Sequence, residues 1–289
     1  MSVDVLLSVP NVLGENPTWC TRRARLYWID IQAPALMSCG ADGGDLTIWK
    51  MPEVIGCFAL CKDDTFIVAL RSGMYRFTPL GNKYDLLLAA DKSLPQHRYN
   101  EGKCDPRGRF WFGTMNDVVR EPTGGLFHLD ASLECTQVEG AIAVPNGLAW
   151  SPDEKTMYFA DTGTRLIHAY DFDADTGQRG PARVFVDLRK GPGRPDGATV
   201  DADGCLWGAE VDSGRVVRYA PDGRELLAVQ LPVTRVTCMA FGGADLRTLF
   251  ITTARQKLTD DELRQQPHAG ALFAMQAPVA GVPAAVFAG

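Results

Sequence analysis

Short apolar stretches separated by polar turns recur along the chain and predict its architecture. Six segments share one layout: a polar or glycine-containing opening, a short apolar strand, a turn with Asp or Gly, and a strand rich in aromatic and β-branched residues. The second strands follow one another at intervals of 39 to 49 residues, which is the length of a four-stranded propeller blade. They are marked by Trp28, Ile67, Trp111, Tyr158, Trp207 and Phe250.

The repeat predicts an all-β fold, a six-bladed β-propeller that residues 1–289 form as a single domain. The one helix-like stretch, TDDELRQQ from Thr259, is long enough for at most two turns. We expect the N-terminal strand around Val3–Val9 to close the last blade near Val279–Phe287, because a propeller must cover its sheet edge. A pair of β-sandwiches is the alternative, but it does not account for six comparable units.

Composition and charge narrow the class of partner. Hydrophobic residues make up 46% of the chain and charged residues 22%, as in packed globular proteins. The net charge of −6 comes without any Lys/Arg cluster, so we expect no nucleic-acid partner. No signal peptide and no apolar run of about 20 residues occurs in the sequence, which predicts a cytoplasmic protein without a membrane partner. We expect a monomer or weak dimer, with the eight scattered cysteines reduced and mostly in the core.

Four repeats carry a polar residue at the same place, five residues before the turn that ends their first strand. The first strand of each propeller blade lines the axis, so equivalent positions form a ring at one end of the channel. Two carboxylates and two carboxamides there supply hard oxygen ligands, and a divalent cation offsets the repulsion between the carboxylates. The ring positions are Glu15, Asn100, Asn146 and Asp196, with Gly56 and Thr237 in the other two repeats.

The histidines form no metal-binding motif, which argues against a zinc site built from His and for one that accepts Ca²⁺, Mg²⁺, Mn²⁺ or Fe²⁺. Alternatively, Asn146 and Asp196, each followed by Gly, and Pro17 simply build turns. Arg98 precedes the ring and either donates to substrate or forms a surface salt bridge. Asp161 and Thr162 are interpreted as turn caps. The segment Asn116–Thr123 is long and polar enough for a flap over the ring.

Five tryptophans at strand positions are expected in the core between blades: Trp19, Trp28, Trp111, Trp150 and Trp207.

At these residues the chain resembles the gluconolactonase family, which includes senescence marker protein 30 (regucalcin). The resemblance runs in order from about Leu13 to the C-terminus. It is carried by LGENPTW (Leu13–Trp19), RYNEGKCDPRGRFWFGTM (Arg98–Met115), PNGLAWSPD (Pro145–Asp153) and RPDGATVDADGCLW (Arg194–Trp207).

The resemblance implies a six-bladed propeller with one divalent metal ion (Ca, Zn, Mn or Fe(II)) held by Glu15, Asn146 and Asp196. It also implies that Arg98 and Asn100 contact the substrate and that Asp196 is the general base. Members of the family hydrolyse aldonolactones, and relatives act on other lactones or organophosphates.

Two positions depart from the family pattern. The usual N-D-G-K motif reads Asn100-Glu101-Gly102-Lys103 here. The acidic flap residue of the animal proteins has no clean match, since Val118 stands at the equivalent place and Asp117 and Glu121 lie nearby.

These observations predict a metal-dependent lactonase that opens a sugar lactone, such as a glucono-, xylono-, arabinono- or galactonolactone, to the aldonic acid. The cation would polarise the carbonyl and Asp196 would act as general base. A covalent route is not expected, because no Ser-His-Asp set or G-x-S-x-G motif is visible. Two alternatives stay open: a calcium-binding protein without catalysis, and a metal-dependent esterase or phosphotriesterase.

Overall fold

The computed structural model describes residues 2–289, which form 25 strands and one short helix. Apart from the first strand, β1 (Asp4–Leu7), consecutive strands form antiparallel sheets, six in number, which are the blades of a β-propeller. The predicted all-β, six-bladed fold is confirmed.

The first three blades each contain four strands in meander order. Blade 1 consists of β2 (Gly14–Cys20), β3 (Arg25–Asp30), β4 (Ala35–Cys39) and β5 (Thr47–Lys50). Blade 2 consists of β6 (Ile55–Leu60), β7 (Phe66–Leu70), β8 (Gly73–Thr78) and β9 (Lys83–Ala89). Blade 3 consists of β10 (His97–Cys104), β11 (Phe110–Asn116), β12 (Gly124–Leu129) and β13 (Cys135–Ile142).

Blade 5 keeps this order, whereas two strands share the outer position in blade 4 and β1 takes it in blade 6. Blade 4 consists of β14 (Pro145–Trp150), β15 (Thr156–Asp161), β16 (Leu166–Asp173), β17 (Gln178–Arg179) and β18 (Arg183–Asp187). Blade 5 consists of β19 (Arg194–Val200), β20 (Leu206–Val211), β21 (Arg215–Tyr219) and β22 (Glu225–Gln230). Blade 6 consists of β23 (Val236–Gly242), β24 (Thr248–Thr253), β25 (Leu272–Gln276) and β1.

The N-terminal strand closes the ring as predicted, but with a different partner. Strand β1 pairs antiparallel with β25 and covers the outer edge of blade 6. The predicted partner, Val279–Phe287, was wrong: this segment makes only isolated bridges, at Gly281 and Phe287, and lies over one end of the central channel. Pro278 and Pro283 lack the amide hydrogen that a regular strand pairing needs.

The core lies between neighbouring blades. Trp19 of blade 1 stacks on Phe250 of blade 6 with ring centroids 5.6 Å apart, and Trp111 of blade 3 meets Trp150 of blade 4 at 6.0 Å. All five tryptophans named from the sequence are at most 8% exposed, so their core placement is confirmed. Seven of the eight cysteines are buried and Cys135 is half-buried.

The single helix in the described part of the chain, α1 (Asp260–Gln265), has six residues and stays within the limit of two turns expected after Thr259. That residue caps the helix in a capping box with Glu262. Within residues 2–289 no helix has the length and apolar character needed to cross a membrane.

Candidate active site

A register irregularity occurs in the N-terminal half of every inner strand, that is, in β2, β6, β10, β14, β19 and β23. The N-terminal ends of these strands lie at the same end of the channel. We call this end of the channel the mouth. A β-bulge makes two successive residues oppose one, which re-aims side chains relative to the regular pleat. Every predicted ring position lies at or beside such a bulge. Repetition of the same backbone device in each blade therefore builds the ring.

The structure places the four predicted polar residues together at the mouth. Glu15, Asn100 and Asn146 are each less than 10% exposed, and Asp196 is half-buried. The Asn100 side-chain nitrogen donates to Asn146 Oδ1 at 3.2 Å. Burial and the nearby charge of Asp196 raise the pKa of Glu15 well above its usual range. Side chains from four blades thus meet, as the alignment of the repeats predicted.

Blades 2 and 6 contribute little at their ring positions. A Cβ at Gly56 would lie 2.0 Å from the backbone oxygen of Tyr99, so no side chain fits there. The Thr237 hydroxyl donates to the carbonyl of Gly14 at 2.6 Å and links blade 6 to blade 1. The polar ring is therefore restricted to four blades.

A hydrogen-bond chain orients the two carboxamides. Arg98 Nη1 donates to Asn100 Oδ1 at 2.7 Å, which turns the Asn100 nitrogen toward Pro145 O and Asn146 Oδ1. The Asn146 nitrogen donates in turn to Thr162 Oγ1 at 2.8 Å. Because each donor is matched to an acceptor, Asn146 presents its oxygen to the mouth.

Thr162 does more than the turn capping that we expected. Its hydroxyl donates to the Pro195 carbonyl at 2.7 Å, which leaves the oxygen free to accept from Asn146. Asp161 does cap the turn that follows it, by accepting the amide hydrogen of Gly163 at 2.9 Å, and it also accepts those of Ala143 and Val144. The sequence held no signal for the Thr162 contact, because it depends on the packing of blade 4 against blade 5.

Arg98 forms an ion pair, but a buried one rather than the surface pair considered from the sequence. It is 4% exposed, and its Nε donates to Asp117 Oδ1 at 2.7 Å. Although burial acts to raise it, the pKa of Asp117 is lowered by the charges of Arg98 and Arg71. The flap carboxylate Asp117 therefore fixes Arg98 in place, whereas Glu121 is exposed.

A third carboxylate, Glu101, lies in the channel, although the sequence marked it only as a departure from the usual N-D-G-K motif. It is 7% exposed, has φ 47° within the bulge of β10, and follows the ring residue Asn100 directly. Burial raises its pKa to about 7 despite the nearby charge of Lys103. Burial and the charge of Glu101 together raise the pKa of Asp196 to about 8. The mouth thus gathers three carboxyl groups that resist ionisation.

This donor set fits a divalent cation with oxygen ligands. Glu15, Asp196 and the oriented oxygen of Asn146 supply two carboxylates and one carboxamide, the ligands that hard cations prefer. Burial and mutual repulsion oppose the ionisation of Glu15 and Asp196. The positive charge of a bound cation would offset both effects and stabilise the ionised carboxylates. In the described part of the chain no three His, Cys, Asp or Glu side chains are placed to hold a metal ion by themselves, so a site here needs the carboxamide of Asn146 as a ligand.

Comparison with known proteins identifies the family. The sequence profile described as the SMP-30/Gluconolactonase/LRE-like region matches residues 13–255. The chain belongs to this family. Members of the SMP-30/gluconolactonase family with similar sequences include the 6-deoxy-6-sulfogluconolactonase of Pseudomonas putida, which is 41% identical over 97% of this chain and 96% of its own length. The L-arabinolactonase of Azospirillum brasilense is 39% identical over 99% of this chain and 95% of its own.

A solved structure of the family has nearly the same fold. It is the calcium-binding protein regucalcin from Agrobacterium tumefaciens, which superimposes with a TM-score of 0.94 at 30% identity and covers 98% of this chain and 96% of its own. This agrees with the resemblance seen in the sequence.

Two cavities flank the channel of this SMP-30/gluconolactonase family member. One of about 360 Å³ lies at the end opposite the mouth, under Val282 and its neighbours, and none of the four polar ring residues lines it. The other, of about 550 Å³, lies between blades 2 and 3 and reaches Arg98. None of the four polar ring residues lines either cavity, so both cavities are separate from the ring.

Proposed function

We propose that this chain hydrolyses a sugar lactone to the corresponding aldonic acid. The observation that carries the proposal is the meeting of Glu15, Asn100, Asn146 and Asp196 at one end of the channel beside the buried Arg98. The family membership supports it, since relatives with similar sequences carry the names of lactonases for sulfogluconolactone and for L-arabinolactone.

In this proposal Glu15, Asn146 and Asp196 hold one divalent cation, with Ca, Zn, Mn and Fe(II) as candidates. Such a cation, when bound, supplies Lewis-acid polarisation of the lactone carbonyl. Thr162 keeps the Asn146 oxygen directed at the mouth through its hydrogen bond with the Asn146 nitrogen. The ionised forms of Glu15 and Asp196 are the ones that bind, so cation binding should strengthen as pH rises through their raised pKa values.

Arg98 and Asn100 are the proposed contacts to substrate. The Nε of Arg98 donates to Asp117, and its Nη1 donates to Tyr99 O and Asn100 Oδ1. Its Nη2 makes no hydrogen bond within residues 2–289. This nitrogen is therefore available to a hydroxyl or carbonyl oxygen of the lactone. The ion pair with Asp117 holds the guanidinium still, which reduces the entropy lost on binding.

Asp196 is the proposed general base. It takes a proton from a water molecule as the water oxygen bonds to the carbonyl carbon. The ring carbon–oxygen bond then breaks, and Asp196 returns the proton to the departing ring oxygen. Without a cation, burial and the charge of Glu101 raise the pKa of Asp196 to about 8. A bound cation would lower this pKa, so the carboxylate would be ionised and able to accept a proton near neutral pH.

The test is Asp196→Asn, with the exposed Asp42→Asn as matched control. A pH-stat follows acid release from a panel of aldonolactones, corrected for spontaneous opening, with protein that has been chelated and then resupplied with each cation. We expect Asp196→Asn to keep its circular dichroism spectrum and lose most turnover. Full turnover by this variant would remove Asp196 from the proposed mechanism.

A second candidate is calcium binding without catalysis, which is favoured by the similarity to the structure named as calcium-binding regucalcin. The same panel, with a phosphotriester added, distinguishes it. Firm calcium binding with no hydrolysis of any lactone or phosphotriester would support this candidate, whereas turnover of a phosphotriester alone would point to a phosphotriesterase.

A further inference from the structure

Basic side chains surround the mouth on the side of blades 5 and 6. Arg194 begins β19, Arg235 directly precedes β23, and Lys257 follows β24. Arg120 reaches the same region from the flap that follows β11. Arg120, Arg194 and Arg235 all act electrostatically on Asp196, and Lys257 is close to all three of them.

Few carboxylates form ion pairs with these basic side chains. Arg194 and Arg235 share a single acid, Asp212: Arg194 Nε donates to Oδ2 at 2.8 Å and Arg235 Nη1 to Oδ1 at 2.7 Å. The Nε of Arg235 is buried and has no hydrogen-bond partner within residues 2–289. Over the same residues, Arg120 and Lys257 form neither an ion pair nor a side-chain hydrogen bond. An unpartnered buried guanidinium nitrogen is unfavourable, because it has lost its hydrogen bonds to water without gaining others.

The cluster is therefore under mutual repulsion. Burial lowers the pKa of Arg120, and the charges of Arg98 and Arg194 lower it further. Burial and the charge of Arg120 lower the pKa of Lys257 in the same way. Apart from Asp196 and Asp212, the acids that face the cluster are Asp117, already paired with two arginines, and Glu262 of α1, which bonds to Thr259.

We infer that the mouth takes a lactone that carries a separate anionic group, a sulfonate, phosphate or carboxylate, and that Arg120, Arg235 and Lys257 bind this group. The inference rests on the proposed function, because a lactone carbonyl at the ring leaves the rest of the sugar beside these residues. Arginine forks match tetrahedral and planar oxyanions with paired hydrogen bonds, and the orphaned Nε of Arg235 supplies such a donor. The excess positive charge also raises the association rate of an anionic substrate.

The first experiment compares D-glucono-1,5-lactone with its 6-phosphate, its 6-sulfonate and a lactone of glucaric acid. For each, kcat/KM is measured by pH-stat at low and high ionic strength. We expect at least one anionic lactone to exceed the neutral one by about tenfold or more, as one or two charge-assisted hydrogen bonds would give. The advantage should shrink as salt is raised. Which anion is preferred identifies the substituent.

Variants then test the residues. Arg120→Gln is the chosen change, because Arg120 lies on a loop and makes no side-chain hydrogen bond in the described chain. The matched control is Lys155→Gln, an exposed charge in the turn after β14, at the other end of the blade. We expect Arg120→Gln to reduce the ratio of kcat/KM for the preferred anionic lactone to that for the neutral lactone by about tenfold, mainly through KM. Lys155→Gln should leave the ratio at the wild-type value.

A binding measurement separates this inference from the proposed function. Titration calorimetry compares 6-phosphogluconate, 6-sulfogluconate and glucarate with gluconate in the wild type and in Arg120→Gln, without any need for turnover. Hydrolysis of the neutral lactone with no anionic preference would overturn the inference and leave the proposed function standing. Arg120-dependent binding of an anionic aldonate without hydrolysis of any lactone would support the anion site and overturn the proposed function. Equal ratios in Arg120→Gln and Lys155→Gln would also overturn the inference.

Discussion

The buried carboxyl of Glu101 gives a stability prediction with a definite sign. Glu101→Gln keeps the size of the side chain and an oxygen that accepts the backbone N–H of Gly147, but it removes the negative charge. In the absence of a divalent cation, that charge is buried close to Asp196 and Glu15. We expect the variant to be more stable than the wild type above neutral pH and similar to it in mild acid.

The size of the stability gain follows from the pKa of Glu101. Burial raises the pKa of Glu101 from 4.5, its value in an unfolded chain, to about 7 in the folded protein. The folded state holds the proton of Glu101 more tightly than the unfolded chain does. Protonation therefore stabilises the fold fully below the pKa of the unfolded chain, and this stabilisation is lost as pH rises through the pKa of the folded protein. A rise of this size corresponds to about 3 kcal/mol above pH 8. Part of the repulsion is shared with Asp196 and Glu15, so the expected gain for Glu101→Gln is about 1–3 kcal/mol.

The assay is urea unfolding, followed by tryptophan fluorescence in the presence of a chelator at about pH 5 and about pH 8.5. The control is Glu134→Gln, which neutralises an exposed glutamate in the turn before β13. Wild type and control should lose stability between the two pH values, and Glu101→Gln should lose less. If Glu101→Gln and Glu134→Gln lose equal amounts, the buried charge does not strain the folded state and the reasoning is wrong.

Three further predictions concern the cation, the ring and the fold. A divalent cation at about one hundred times its Kd should raise the unfolding free energy of chelated wild type by about 3 kcal/mol, and that of Glu15→Gln much less. Thr162→Val leaves the Asn146 nitrogen without its acceptor and should weaken cation binding in calorimetry by about tenfold, since such a loss costs about 1–3 kcal/mol. Asp201→Ala should cost about 3–5 kcal/mol in urea unfolding, because this fully buried carboxylate holds Trp207 and Arg218.

Each of these has its own control and contrary result. An equal cation effect in wild type and Glu15→Gln would place the binding site elsewhere. Thr164→Val changes an exposed hydroxyl in the same turn as Thr162 and should leave cation affinity intact; equal losses in the two would contradict the orienting role. Asp203→Ala removes only an exposed partner of Arg218 and should cost less than about 1 kcal/mol, so a comparable loss would show that burial of Asp201 matters little.

The sequence was sufficient for the fold and for the ring because both follow from repetition. Equivalent strands in each repeat fix the blades, and equivalent positions on inner strands must face one axis. That argument placed Glu15, Asn100, Asn146 and Asp196 together without any knowledge of their contacts. Their roles in binding and catalysis stay predictions, as do the single domain over residues 1–289, the monomer or weak dimer and the cytoplasmic location.

What the sequence did not reveal depends on departures from regular pleating or on contacts between blades. Glu101 should point away from the channel if strand alternation continued past Asn100, and only the bulge brings it in. Thr162 acts across the interface to blade 5, and Asp117 acts on Arg98 from a flap whose conformation no periodicity describes. The partner of β1 was misplaced because Val279–Phe287 is apolar enough to suggest a strand, yet Pro283 interrupts it.

The bulge common to all inner strands has a consequence for how such proteins diversify. The peptide backbone, rather than any particular side chain, decides where the six positions point, so exchanging one residue can swap a ligand, a donor or a hydrophobic group without disturbing the scaffold. A library randomised at Glu15, Asn100, Asn146 and Asp196 should consequently yield many soluble variants with altered selectivity. Position 56 should tolerate glycine alone, because any larger residue meets the Tyr99 carbonyl.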